Sequence, residues 1–142
     1  MDKKYSSCRA IIIEGKKILL MHRKKDGIEY WVYPGGHLEE GETPDQAMIR
    51  EIWEELSLKV KKISKPHPYI HEFGTHEYYF ECEVEDGEPK LDPSGTEKIT
   101  DIDWYNPEWV DLSKAKTLEN LYPNVIMKQL DFHLPGGSLE NR

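Results

Sequence analysis

The stretch Gly36-His37-Leu38-Glu39-Glu40-Gly41-Glu42, continued by Arg50-Glu51-Ile52-Trp53-Glu54-Glu55, decides how this chain is read. It sets a glycine loop directly before a helix that carries three glutamates at helical spacing. Advancing about 100° per residue from Glu51, Glu54 falls at roughly −60° and Glu55 at roughly +40°, so all three share one arc. On the same wheel Ile49, Ile52, Trp53 and Leu56 lie between roughly 100° and 200°, which predicts an apolar packing face separate from the carboxylate face. The helix start is equally well marked. Thr43 suits the cap, Pro44 the first helical position, and Gln46 completes a Thr-x-x-Gln capping box. The predicted helix runs from Pro44 to about Leu56.

A carboxylate face of this kind is costly. Like charges at i,i+4 destabilise a helix, and acidic residues in the last turn oppose its dipole. Many acidic faces are simply solvated. Here Lys59, Lys61 and Lys62 lie only past the helix end, and the arrangement points to a cation seated on the face. Hard divalent cations take oxygen ligands and bridge carboxylates to substrate phosphates, a role Glu51, Glu54 and Glu55 fit. Pro34-Gly35-Gly36 follows the apolar run Tyr30–Tyr33, which reads as a strand. Paired glycines let a backbone approach a ligand closely, although Gly-Gly alone more often marks a turn.

Taken together, Gly36, Glu42 and Arg50-Glu51-Ile52-Trp53-Glu54-Glu55-Leu56-Ser57-Leu58 resemble the Nudix box, Gly-x5-Glu-x7-Arg-Glu-U-x-Glu-Glu-x-Gly-U, with U a bulky aliphatic. The one departure is Ser57, where the family has Gly. Glycine there serves as a left-handed cap; either serine adopts that conformation at a cost of about 1 kcal/mol, or the helix ends slightly differently. The departure bears on the helix end and not on the carboxylates.

The resemblance implies an α/β fold, the Nudix α/β/α sandwich with a mixed β-sheet. It implies a metal-dependent hydrolase that cleaves the pyrophosphate of a nucleoside diphosphate linked to another moiety. Mg²⁺ (or Mn²⁺) would be held by Glu51, Glu54 and Glu55, joined by the Gly36 carbonyl. Glu42 and Arg50 would form the ion pair that holds the loop to the helix, and Glu54 is nominated as the base that activates water. A further acidic ligand is expected from a loop before a late strand, with Glu97 the candidate and Asp101 its rival. Near the phosphates the pattern places His37. Base recognition needs a flat aromatic surface, for which Tyr33 and Tyr79 are candidates. A compact substrate such as a nucleoside triphosphate is expected. Two other readings compete: a non-catalytic nucleotide-binding sensor on the same fold, and a helix-rich interaction module without metal. Intact Glu51, Glu54 and Glu55 favour the enzyme.

Composition narrows the classes further. The 142 residues suffice for one domain, expected over 1–134 with a flexible tail at 135–142. A net charge of −8 argues against a nucleic-acid polymer as partner. It is compatible with a small nucleotide whose charge a divalent ion neutralises. The sequence has no apolar run long enough for a membrane span and no apolar leader, so cytoplasmic residence is the expectation. Cys8 and Cys82 lack metal-ligand spacing and read as free, buried thiols. The chain shows no internal repeat.

Patterning along the chain predicts strands at Arg9–Ile13 and Lys17–His22 joined at Glu14-Gly15-Lys16, then Lys24–Gly27 as a loop. Further strands are expected at Tyr30–Tyr33, Leu58–Ile63, Tyr69–Phe73, Glu77–Val84 and Ile99–Tyr105, the last ended by Asn106-Pro107. A second helix is expected from Tyr122 to about Asp131.

Overall fold

Two faces of one sheet are buried, and the first two strands show why. The structure, a computed structural model, describes residues 5–70, 76–90 and 100–123. Strand β1 (Tyr5–Glu14) turns at Gly15 into β2 (Lys17–Lys25). In β1, Cys8, Ala10 and Ile12 enter one core cluster and Ile11 the other. In β2, Leu19 and Met21 join the first cluster, and Ile18 and Leu20 the second. A strand covered on both sides reads as a continuous apolar run, as these two do.

A two-residue turn at Asp26-Gly27, both with positive φ, leads to β3 (Ile28–Val32), antiparallel to β2. Asp-Gly at such a turn matches the right-handed twist of a hairpin. Lys24 and Lys25, expected in a loop, therefore belong to β2. Next come β4 (Gly35–His37), helix α1 (Pro44–Leu56), β5 (Val60–Ile63), β6 (His67–Ile70), β7 (His76–Val84), β8 (Trp104–Asp111), a short helix α2 (Leu112–Ala115) and β9 (Leu121–Tyr122). The sheet runs β5-β7-β1-β2-β3-β9, with β4 beside β1, β6 beside β7 and β8 beside β2. The β1–β7 and β3–β9 pairs are parallel and the others antiparallel, giving the expected mixed sheet. Helix α1 covers one face through Ala47, Met48, Ile52 and Leu56, and Leu112 and Ala115 of α2 join the other. No helix among the described residues is long and apolar enough to cross a membrane.

His22 ties three strands together. Its Nδ1 lies 2.7 Å from Glu108 on β8 and its Nε2 3.2 Å from Glu29 on β3, while its ring stacks on Trp31 at 4.0 Å.

Several expectations change. The late strand is Trp104–Asp111 and passes through Asn106 and Pro107. Among the described residues β8 pairs only with β2. A proline that cannot donate is tolerated on such an edge. Residues 100–103 instead form a turn, in which Asp103 donates its backbone N–H to Thr100 Oγ1 at 3.0 Å. Tyr122, expected to open a helix, lies in β9, and the rest of that predicted helix falls outside the described residues. The Tyr69–Phe73 strand is found as His67–Ile70, with its end outside the described residues, and the Leu58–Ile63 strand begins at Val60.

The apolar face of α1 is also rotated from the one predicted. Ile49 and Trp53 are 43% and 52% exposed, whereas Ala47, Met48, Ile52 and Leu56 are fully buried. On the helical wheel that buried arc runs from roughly −40° to 140°, so its middle falls close to Glu55, at roughly 40°. The carboxylate face and the packing face overlap.

Candidate active site

The helix start is fixed by the capping box. Thr43 donates its N–H to Gln46 Oε1 at 3.0 Å, and Gln46 N–H donates to Thr43 Oγ1 at 3.3 Å, with Pro44 in the first turn. The end is fixed by Ser57 in the left-handed conformation (φ 57°, ψ 33°), whose N–H reaches the Trp53 carbonyl at 2.9 Å. These two caps hold Arg50, Glu51, Glu54 and Glu55 in one rigid frame.

Arg50 is the hub of that frame. Its Nε and Nη2 donate to the two oxygens of Glu42 at 2.6 and 2.9 Å, a planar fork on a carboxylate. Nη1 donates to Glu51 at 2.9 Å and to Glu54 at 3.0 Å, and Nη2 also reaches the His37 carbonyl at 3.0 Å. Glu42 in turn accepts the Glu39 N–H at 2.8 Å. The bonds from Arg50 hold the Glu42 carboxyl below its ordinary range. The loop is thus stapled to the helix as expected for Glu42 and Arg50. The geometry also corrects the electrostatic argument. The repulsion between Glu51 and Glu54 is relieved from inside the protein, by Arg50, so it does not by itself demand an external cation.

Glu55 is the exception. It has no hydrogen-bond or ion-pair partner among the described residues. Burial raises its pKa from 4.5 to about 7; Glu51 adds to the rise, while Arg9 and Arg23 oppose it. It lines a cavity of about 300 Å³ with Arg9, Arg23, Gly35, Tyr105 and the apolar walls of Met21 and Val32. The Arg23 guanidinium lies 5.8 Å from the Tyr105 ring centre, within cation–π reach.

The glycine loop meets this cavity because β4 inserts beside the first half of β1, pairing Cys8 with Gly36 and Arg9 with Gly35. A side chain at Gly35 would drive into the Cys8 carbonyl. One at Gly36 would sit 2.5 to 2.7 Å from the Glu51 carboxylate atoms. Only glycine lets backbone and carboxylate come so close. Cys8 Sγ sits 3.6 Å from the Gly36 carbonyl, and burial pushes its thiol up to about 12. A hard cation takes oxygen donors. The Gly36 backbone lies against the Glu51 carboxylate, and Glu55 lines the adjacent cavity. Among the described residues no three His, Cys, Asp or Glu side chains converge on one point.

The remaining predicted site residues separate. Glu54 is half-exposed against Arg50 and does not line the cavity. His37 is exposed and contributes its carbonyl to Arg50. Tyr33 and Tyr79, expected to stack on a base, are 0% and 1% exposed and pack edge-to-face in the core at 5.5 Å. They have no free face, because both rings lie in the buried cluster with Ile11, Leu20, Trp31 and Leu121. Asp101 is exposed in the turn before β8, and Glu97 lies outside the described residues. The residues missed from the sequence are Arg9 and Arg23. For Arg9 the available signal was a charged residue directly before the apolar run Ala10–Ile13; Arg23 sits in the basic run His22–Lys25 and carried no such signal.

A mixed sheet between helices, with a glycine loop feeding a carboxylate-bearing helix, is an α/β/α sandwich. The sequence profile of the NUDIX domain matches residues 4–129, and the chain belongs to that family. Over 53 residues it is 42% identical to an RNA pyrophosphohydrolase of Actinobacillus succinogenes, covering 37% of this chain and 27% of that protein. Over 44 residues it is 41% identical to an 8-oxo-dGTP diphosphatase of Proteus vulgaris, covering 31% of this chain and 39% of that protein. The matched segments therefore span well under half the length of these relatives. In structure it resembles a NUDIX-family hydrolase from Clostridium perfringens, with a TM-score of 0.65 at 18% identity over 90% of this chain and 97% of that one.

Proposed function

We propose that this chain is a divalent-metal-dependent hydrolase cleaving the pyrophosphate of a nucleoside diphosphate derivative, with a compact nucleotide such as a nucleoside triphosphate as substrate. The observation that carries this reading is the cavity in which Arg9, Arg23 and Glu55, unpaired among the described residues, meet beside the Gly35–Gly36 loop. Two guanidiniums suit phosphate oxygens, which they meet with planar forks of donors. At about 300 Å³ the cavity is at the small end of ligand sites and suits the phosphates better than a whole nucleotide. Support also comes from the names of the two relatives, one acting on RNA pyrophosphates and one on a modified nucleoside triphosphate.

Glu51, Glu55 and the Gly36 carbonyl would hold Mg²⁺ or Mn²⁺, with Glu54 and Glu97 as further ligand candidates. A bound divalent ion neutralises charge building on the phosphate oxygens during an in-line displacement. The chain's own residues do the rest. Arg9 and Arg23 orient the phosphates. Apolar Met21 and Val32 exclude bulk water from that wall. Glu54, open to solvent and oriented by Arg50, is the nominated base toward water. Arg50 and Glu42 keep the loop at a fixed distance from the helix.

Purified protein assayed with Mg²⁺ against nucleoside triphosphates, oxidised nucleotides, nucleotide sugars, ADP-ribose, dinucleoside polyphosphates and 5′-triphosphorylated RNA tests the reading. One class should be cleaved at its pyrophosphate linkage, giving a shorter nucleotide and a pyrophosphate or phosphorylated co-product, and a chelator should abolish the cleavage. Glu54→Gln should lower kcat by about 10²- to 10⁴-fold, the usual contribution of a positioned acid or base. A parent rate in that variant would remove Glu54 from the chemistry. Absence of turnover on every substrate would sink the hydrolase reading.

A further inference from the structure

Glu77 on β7 is a buried carboxylate far from the glycine loop in sequence. Its side chain is 8% exposed. Its carboxylate accepts from Ser7 Oγ at 2.9 Å and Arg9 Nε at 3.1 Å, both on Oε2, and from the Tyr79 hydroxyl at 3.0 Å on Oε1. The Tyr79 ring is itself held edge-on between Tyr33 and Tyr69, at 5.5 and 6.0 Å. The parallel register of β1 and β7 brings these groups together, pairing Ser7 with Glu77 and Arg9 with Tyr79.

Arg9 is gripped at a second point, where Nη1 donates to the Tyr33 carbonyl at 2.9 Å. A planar guanidinium fixed at two of its three nitrogens has one orientation left. The third nitrogen, Nη2, has no partner among the described residues, and Arg9 lines the cavity beside Glu55. A buried ion pair is a poor source of stability, because desolvation offsets most of its attraction. It does fix position well.

We infer that Glu77, anchored by Ser7 and Tyr79, is a positioning residue that aims the Arg9 guanidinium into the cavity so that Nη2 meets a phosphate oxygen of the substrate. This rests on the reading of that cavity as the pyrophosphate site. Glu77 touches no substrate; it acts through Arg9.

The test measures binding of inorganic pyrophosphate with Mg²⁺ by calorimetry, alongside KM and kcat on whichever nucleotide is turned over. Arg9→Met should weaken pyrophosphate binding by about 10- to 100-fold, the loss of a charge-assisted hydrogen bond. Glu77→Leu should weaken it about tenfold, raising KM while kcat stays within about twofold. Glu77→Gln, which keeps an acceptor facing Arg9, should fall between wild type and Glu77→Leu. The double variant Arg9→Met/Glu77→Leu should match Arg9→Met alone, since Glu77 has nothing left to aim. A merely structural Glu77 would add its own effect in the double variant or leave KM unmoved, and either result overturns the inference. Should Glu77→Leu not fold, Tyr79→Phe keeps the ring and removes one anchor. It should weaken binding about threefold, a part of what a hydrogen bond to a charged group is worth because Ser7 still anchors Glu77, and wild-type binding there overturns the inference. If wild type turns over nucleotide while Glu77→Leu and Tyr79→Phe bind as it does, this inference alone falls. If wild type binds no pyrophosphate, the cavity reading falls and takes this inference with it.

Discussion

At the scale of single residues, the contrast between Glu42 and Glu55 sets how this protein responds to pH. Glu42 is held below its ordinary pKa by Arg50, so its contribution to stability is present above the ordinary carboxylate range and fades as pH falls through it. Glu55 has the opposite sign. Its folded-state pKa is raised from 4.5 to about 7, so between these values the folded chain binds more protons than the unfolded one. Stability of the metal-free protein should therefore decline as pH rises across that window. Thermal melts in a chelator from about pH 5 to pH 8 should show the decline, and Glu55→Gln should flatten it; an unchanged slope in the variant would assign the effect elsewhere. The two cysteines give a second expectation. Burial pushes both thiols up to about 12. The thiolate is the reactive form, so alkylation of Cys8 and Cys82 at neutral pH should be slow in the native state and fast in denaturant. Fast labelling of the native protein, followed by mass spectrometry, would contradict the packing of β1 against α1.

At the scale of elements, helix α1 shows what was legible in the sequence and what was not. Its bounds could be read because caps are local: Thr43, Pro44 and Gln46 lie within one turn, and the structure reproduces that box bond for bond. The left-handed Ser57 was suggested only by the family's Gly at that place, and of the two helix ends left open the structure has this one. Replacing it with glycine should relieve about 1 kcal/mol of backbone strain, raising Tm by about 2–4 °C in a domain of this size; a lower Tm would mean that Ser57 makes a compensating contact. The packing face of α1 was not legible, because hydropathy ranks Trp53 and Ile49 as core and Glu55 as surface. The sheet reverses the order for Glu55 by closing over it from β1 and β2. Likewise Pro107 read as a strand end, since sequence alone does not say that β8 lies on an edge. Arg9 and Glu77 are 68 positions apart, and only the parallel register of β1 with β7 makes them a pair. The aromatic candidates failed on similar ground: composition supplies Tyr33 and Tyr79, but only the assembled fold encloses both rings in one buried cluster.

At the scale of the whole molecule, the site is a junction. Gly36 comes from β4, Glu51 and Glu55 from α1, and the two arginines from β1 and β2. A cation held by Gly36, Glu51 and Glu55 would tie two elements that separate on unfolding. Such a ligand binds the folded chain and not the unfolded one. It should raise stability by about 2.7 kcal/mol at one hundred times its dissociation constant, growing with the logarithm of concentration. The protein's net charge of −8 adds a general attraction for cations, which any salt screens. Melts at constant ionic strength separate the two effects. At fixed ionic strength, Mg²⁺ should raise Tm of the wild type, and Mn²⁺ should do so at lower concentration, following the usual affinity order of divalent ions. Glu51→Gln and Glu55→Gln should each abolish most of that rise, whereas Glu54→Gln, whose carboxylate is half-exposed and held by Arg50, should keep the larger part. Equal loss in all three would make Glu54 a full ligand that leaves Arg50 when the cation arrives. A rise that survives in both Glu51→Gln and Glu55→Gln would place the cation away from the junction and separate it from the cavity chemistry altogether.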